Sequence, residues 1–449
     1  MWAGADQNAI EIQNRKASHL AVAKSVKMTA TQEERALVDL FGPNTRKDFK
    51  EHFRLTPVHE SIIRLRHDPN IDTPDLSELL DLVSQANRAP ENQDWSRWKA
   101  TLSNHASPLW EVLDLFHKSA VKLQASGPQN RRPSYDLMNQ PDFNGWTPLH
   151  WAAYSGRLKE TRILLEKGAC ANQLTSSNRN LLHHVAESGN DELMGAVLQH
   201  DCRPTMYLDQ QDLWGETPLH IAATRSLGCV RLLLDHGANT RLLQSERQTP
   251  LHWASQAGET QRLAITDLLS IRDPSLVNVK DEAGRTPIFL FLAMPDCVRL
   301  LLARGAITDI RDHLKRNLLH DACAGNHYEA LKALLPRCHT QSIHQKDSRG
   351  IKPLEEAFER SSVDCIIILL ERKDIHFDLK MGKKGWNLLH YAVHLGDAQV
   401  VELVLDGRFK LSDLISNTPQ GQSVEQLAGS NLKHESRDEV LNLLNRLKK

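Results

Sequence analysis

A chain of 449 residues with a formal net charge of −1 gives no bulk electrostatic reason to bind a polyanion, so nucleic acid is not an expected partner. Its 7 cysteines form no Cys-x-x-Cys pair, which argues for isolated reduced thiols over a disulfide framework or a zinc knuckle. The apolar runs TPIFLFLAMP (286–295) and CIIILL (365–370) are too short to span a bilayer, and MWAGADQNAIEIQ at the start carries acids and no signal-peptide core. A cytoplasmic or nuclear protein is therefore expected.

In chain order, residues 1–45 are polar, with a helix predicted at TQEERALVDLFG (31–42). TPVHESIIRL (56–65) and DLSELLDLVSQA (75–86) read as the two helices of a degenerate capping repeat within 46–87. An insertion and linker occupy 88–141. There Ser107 and Pro108 start a helix whose stripe is Leu109, Val112, Leu113, Phe116, Ala120 and Leu123, and SGPQNRRPS (126–134) leads back to a long array over 142–449.

That array is built from one string. GWTPLHWAA (145–153) returns as GETPLHIAA (215–223). Thr147 offers its hydroxyl to a free backbone N–H, Pro148 sits where a missing donor costs nothing, and Leu149 and Ala152 share a helical face. Equivalent caps follow at Asn180, Thr217, Thr249, Thr286, Asn317, Lys352, Asn387 and Ser423, separated by 31 to 37 residues, a period that signals a solenoid. A second helix closes each unit, as in TRILLEKGA (161–169), VRLLLDHGA (230–238) and VRLLLARGA (298–306), with Gly168, Gly237 and Gly305 as left-handed stops. Turns such as DFNG (142–145), DLWG (212–215) and DEAG (281–284) link one unit to the next.

The order Thr-Pro-Leu-His-x-Ala, Gly, then Leu-Leu-Leu-x-x-Gly-Ala resembles the ankyrin repeat. About eight degenerate repeats of varying length are present, and they resemble those of fungal ankyrin-repeat proteins. The resemblance implies an all-α solenoid of helix-turn-helix repeats with β-turn fingers, behind an N-terminal helical cap and insertion. It also implies a concave face, lined by turn tips and first helices, that binds an unidentified protein partner. The polar last unit, GQSVEQLAG followed by SRDEVLNLLNRLKK, reads as a C-terminal cap.

On that reading the partner-binding residues are Phe143, Trp146, Trp214, Arg247, Arg285, Arg316, Lys384 and Trp386, with Asn144, Leu213, Lys315 and Arg349 beside them. Tryptophan and arginine are the types that anchor interfaces. The three tryptophans equally suit stiffening of the neighbouring turn. Trp151, Trp253 and Tyr391 read as packing residues between first helices. No cofactor, metal or membrane is expected. A second reading makes the chain an accessory or regulatory protein of a metabolic pathway, such as a fungal biosynthetic one, acting on a partner enzyme.

Catalysis is not expected. Six of the 22 histidines recur in the Leu-His string, at 150, 183, 220, 252, 320 and 390, which points to a structural hydrogen bond. His183 and His184 are adjacent and do not share a helical face. KMGKKG (380–385) lacks phosphate-loop spacing, and no Gly-x-Ser-x-Gly or His-Glu-x-x-His string occurs. An enzyme would have to use His105, Glu111, Asp114 and His117 of the insertion, of which Asp114 and His117 lie three apart.

Two units depart from the pattern. Phe289 replaces the histidine in RTPIFLFLA (285–293) and removes its hydrogen bonds. In IKPLEEAFE (351–359) Lys352 cannot cap as Thr does, a loss of about 1 kcal/mol, and Glu355 replaces His. In a nearest-neighbour stack a weak unit opens locally. Limited proteolysis is accordingly expected to cut first within 350–380, and first cuts in the opening three units of the array would refute this.

Overall fold

A helix N-terminus leaves backbone donors open, and a Thr or Asn side-chain oxygen closes one of them. In the computed structural model, Thr147, Asn180, Thr217, Asn317 and Asn387 each accept the N–H three residues ahead. Proline stands at the head of the helix after Thr147, Thr217, Thr249, Thr286 and Lys352. The structure describes residues 139, 141–142, 144–200, 207–372, 380–381, 385–406, 414–431 and 434–446. The predicted segment 1–45, the capping repeat 46–87, the helix and linker of the insertion, Phe143, Lys384 and the set His105, Glu111, Asp114 and His117 lie outside the described residues.

The chain divides into two compact bodies, Met1–Cys170 and Ala171–Lys449. In the first, helices Pro148–Tyr154 and Leu158–Glu166 bury Leu149, Ala152, Ala153, Leu164 and Leu165. Gly168 closes the second helix at φ 90°, so the N–H groups of Gly168 and Ala169 return to the carbonyls of Leu165 and Leu164. This is the left-handed stop expected from the sequence.

The second body repeats the plan. Helix pairs run Leu181–Ser188 with Asp191–Leu198, Pro218–Arg225 with Leu227–Asp235, Pro250–Trp253 with Glu259–Arg272, and Pro287–Leu290 with Pro295–Ala303. They continue as Leu318–Ala324 with Tyr328–Leu334, Pro353–Glu359 with Val363–Glu371, Leu388–Leu395 with Ala398–Leu405, and Val424–Asn431 with His434–Arg446. Along much of this body, first helices pack on the next first helix and second on second. Fully buried Ala222, Ala254, Ala322, Ala357 and Ala392 let the first helices approach closely. In the unit carrying Phe289, Phe291 takes that alanine position, also fully buried, and the first helix shrinks to the single turn Pro287–Leu290.

The asparagine caps do more than replace threonine. Their amide nitrogens reach forward to the carbonyls of Tyr207, Ser342 and Leu414, at 2.7, 2.7 and 2.8 Å. Threonine has no such second donor arm. Each asparagine therefore pins the connecting segment of its own unit, 27, 25 and 27 residues downstream, while also starting the helix.

Fingers precede the caps. An aspartate opens most of them, and its Oδ1 accepts two N–H groups of the same turn: Trp214 and Glu216 for Asp212, Arg349 and Ile351 for Asp347. Five successive fingers in the second body are each tied to the one before by a backbone hydrogen bond: Leu213 to Ser177, Ser245 to Trp214, Glu282 to Glu246, His313 to Ala283, and Ser348 to Leu314. Regular strand pairing among the described residues is limited to Lys380–Met381 against Trp386–Asn387, with Met381 opposite Trp386.

The fourth finger position requires a left-handed backbone, supplied by Gly215, Gly284 and Gly350 at φ 76°, 81° and 84°. Arg247 and Lys315 hold the same position at φ 58° and 59°, a conformation that costs a residue with a Cβ roughly 1–2 kcal/mol. Arg247→Gly is expected to raise the urea midpoint at constant slope, by about 1 kcal/mol in stability. A lower midpoint would show that the arginine side chain contributes more than its backbone costs.

Candidate functional site

The recurring histidine is among the most buried polar side chains. In the Thr217 unit the cap N–H donates to His220 Nδ1 at 3.2 Å, the Thr217 hydroxyl lies 2.9 Å from the same nitrogen, and Nε2 lies 3.1 Å from the Gln248 carbonyl. The same bridge joins His183 to the Glu216 carbonyl, His252 to Arg285 and His320 to Ile351, at 3.0, 3.3 and 3.0 Å. In the threonine units, where Nδ1 of His220 and His252 accepts the cap N–H and Nε2 donates to the carbonyl, the ring is neutral. Burial lowers the pKa of His183, His220 and His252 to about 4, against the pull of those carbonyls. These histidines fasten one unit to the base of the next finger, the structural role read from their recurrence. Where Phe289 replaces one, the Thr286 hydroxyl is buried with no hydrogen-bond partner among the described residues. In the Lys352 unit, Glu355 accepts the Lys352 N–H at 3.1 Å, which restores half of the cap.

The predicted partner-binding residues fall into three settings. In the first body Trp146 is half-buried beside its own helix, with ring centroids 4.8 Å from Trp151 and 5.4 Å from Tyr154. Trp151 donates through Nε1 to Asp142 Oδ2 at 3.0 Å, and burial raises the Asp142 carboxyl despite that bond. Trp386 is 8% exposed and packs on Tyr391 and His394 at 5.3 and 5.2 Å. Both of these tryptophans directly precede a cap, whereas Trp214 sits at a finger tip.

Trp214, Arg247, Arg285 and Arg316 share the hydrogen-bonded line of fingers. Trp214 is half-buried, with the Arg179 guanidinium 5.7 Å from its ring centroid. Arg179 in turn binds Asp212, Glu216 and Glu187 at 2.9, 2.7 and 3.3 Å. Arg247 is exposed. Arg285 pairs with Asp281 at 2.9 Å and Arg316 with Asp321 at 2.6 Å. Leu213 and Leu314 project from the tips, 63% and 58% exposed.

Sequence reasoning missed the Arg179 node and a second one, in which fully buried Glu356 binds Arg349 and Arg360. The signal lay in residues one repeat apart: an arginine just before Asn180 and acids flanking the next finger. Burial raises the Asp321 carboxyl, and Arg316, Asp312, Arg285 and Glu356 all act on it, so these groups form one electrostatic ladder across successive units.

Other chemistry has little support in the described residues. No group of three or more His, Cys, Asp or Glu is placed to hold a metal. Burial pushes the Cys229 thiol up to about 12 and Cys338 to about 11, which withholds the thiolate a nucleophile needs. Among the described residues, no helix is long and apolar enough to cross a membrane.

Comparison with known proteins places these features in context. A family model described as ankyrin repeats (3 copies) matches residues 115–207, 182–273 and 261–347, together more than half of the chain. Human Transient receptor potential cation channel subfamily A member 1 is 28% identical over 276 residues, 60% of this chain and 24% of that protein. Inversin of Canis lupus familiaris is 31% identical over 155 residues, 34% of this chain and 14% of its own length. The alignments thus span a quarter or less of these two relatives. The crystal structure of the ankyrin repeat domain of Bcl-3 aligns with 50% of this chain at 22% identity, with a TM-score of 0.40.

The buried imidazoles give the stack a pH dependence. Unfolded histidines take protons near pH 6.5 and these resist until about pH 4, so stability is full above 6.5, falls as pH drops through that window, and flattens below it. His220→Phe is expected to lose about 1–3 kcal/mol at neutral pH and to show a shallower fall of Tm between pH 6.5 and 4. An unchanged slope in that variant would contradict the assignment.

Proposed function

Because the chain belongs to the ankyrin-repeat family, we propose that it is a non-catalytic scaffold that binds a partner protein along its finger tips and first helices. Ankyrin repeats generally mediate protein–protein interaction, and the array carries no catalytic string that would point elsewhere. The observation that carries this reading is the line of finger-to-finger hydrogen bonds from Ser177 to Ser348. It holds the tips in fixed register, so Leu213, Trp214, Arg247 and Leu314 are presented on a pre-ordered edge, and a partner that docks there orders little backbone.

Trp214 is the anchor in this reading. Its ring is half in solvent and already oriented by Arg179, which lowers the side-chain entropy lost on binding. Arg247 stands one finger away, exposed and held in a strained backbone, and strain of that kind motivates a functional assignment. Trp146, half-buried in the first body with Trp151 and Tyr154, is proposed separately as a contact of that body. Trp386, buried under Tyr391 and His394, supports its own unit, and Phe143 and Lys384 complete the proposed set.

The test is affinity capture from native extract with the full chain, read by mass spectrometry, comparing wild type with a Trp214→Ala, Arg247→Ala double variant. A defined partner held by the wild type and lost by a variant with unchanged circular dichroism is the expected outcome. Retention of that partner would remove the finger tips from the interface, and the absence of any specific partner would remove the scaffold reading itself. Trp386→Ala is unsuited to this test, since removing a buried indole costs about 3–5 kcal/mol in folding.

A further inference from the structure

Resting on the scaffold reading, we infer that the tips of fingers 312–316 and 347–351, with the approach at 346, form a docking site for an acidic peptide segment carrying an apolar side chain. Three cations lie there against one carboxylate that is in no ion pair among the described residues, Asp312, whose Oδ1 accepts the Arg316 N–H. The Arg311 guanidinium donates through Nε to the Lys315 carbonyl at 2.8 Å and through Nη2 to the Lys346 carbonyl. Two of its donors are thus held by main chain, which fixes its charge beside the backbones of Lys315 and Lys346, both exposed. None of the three forms an ion pair among the described residues, while neighbouring Arg316 and Arg349 are neutralised by Asp321 and by Asp347 with Glu356. Three unpaired cations thus outnumber the single unpaired carboxylate, and the patch keeps a positive excess that an anion would relieve.

Two further observations define the occupant. Leu314, 58% exposed, stands next to Lys315, and its carbonyl holds the following finger through Ser348. An apolar contact lies inside the cationic patch, and a side chain, not a sugar-phosphate backbone, is what it suits. One and two fingers back along the same line stand exposed Glu282 and Glu246, themselves linked by a backbone bond. A continuous polyanion laid along the fingers would meet those carboxylates, whereas a short acidic segment confined to the last two fingers would not. Lys315 holds its place at φ 59°, where three sibling fingers of the same line use glycine and Arg247 and Asn178 also carry a side chain. A side chain held at that backbone cost motivates a role for Lys315 in binding.

The experiment is fluorescence anisotropy on the full chain with a short fluorescein-labelled peptide of glutamates around a pair of leucines, and a single-stranded oligonucleotide as second probe. Peptide binding is expected to weaken with added salt and by about tenfold or more in Lys315→Glu, Lys346→Glu. Lys315→Gly, which relieves the left-handed backbone, is expected to bind the peptide more weakly while melting no lower than wild type, separating binding from folding. Peptide binding unchanged by charge reversal overturns the inference. Tighter binding of the oligonucleotide, lost on the same reversal, overturns it in favour of a phosphate backbone. If the partner captured from extract is retained by the charge-reversed chain, this site falls and the scaffold reading stands. If the wild type captures none, the scaffold reading falls with it.

Discussion

The stack depends on one bridge: a neutral imidazole that accepts from the cap of its own helix and donates to the carbonyl at the base of the next finger. A solenoid has no central core, so each unit is stabilised by its own helices and by contact with its neighbours. Most of that contact is apolar and non-directional, as between the buried alanines of successive first helices. The histidine adds direction. His183, His220, His252 and His320 each fix how far the next unit sits and which carbonyl it offers, and burial keeps the ring in the neutral form that this geometry needs. The unit with Phe289 retains the apolar contact without the bridge, and its orphaned Thr286 hydroxyl marks the loss.

A second seam runs along the fingers. Backbone bonds between successive tips, with the aspartates that hold each turn and the left-handed fourth position, make an edge whose tip side chains are the variable part. Side chains there are free to vary, and the charge pattern varies accordingly. Arg179, Arg285, Arg316 and Arg349 are held by carboxylates, while Arg247, Arg311, Lys315 and Lys346 form no ion pair among the described residues. Paired arginines organise the ladder between units and unpaired cations are left for solvent or a partner, so residues of one type serve two purposes according to their neighbours. Asparagine shows the same division: Asn180, Asn317 and Asn387 cap helices as threonine does, and their amides also secure the segments at Tyr207, Ser342 and Leu414.

Short-range chemistry was legible in the sequence. Caps, first-turn prolines, left-handed glycines such as Gly168, and the period of 31 to 37 residues all act within a few bonds of the residue concerned, so their letters carry their meaning. The recurrence of His in the Leu-His string announced a structural bond, though not its acceptor. Only the tertiary structure decided what each finger residue faces. Trp146, Trp214 and Trp386 looked alike in sequence, yet one joins an aromatic group, one lies under Arg179 at a tip, and one is buried. Two residues of offset within a finger, and partners one repeat away in the chain, separate those outcomes. Which carboxylate neutralises which arginine is likewise set by stacking, because the pairs are brought together by the superposition of units and not by their spacing along the chain.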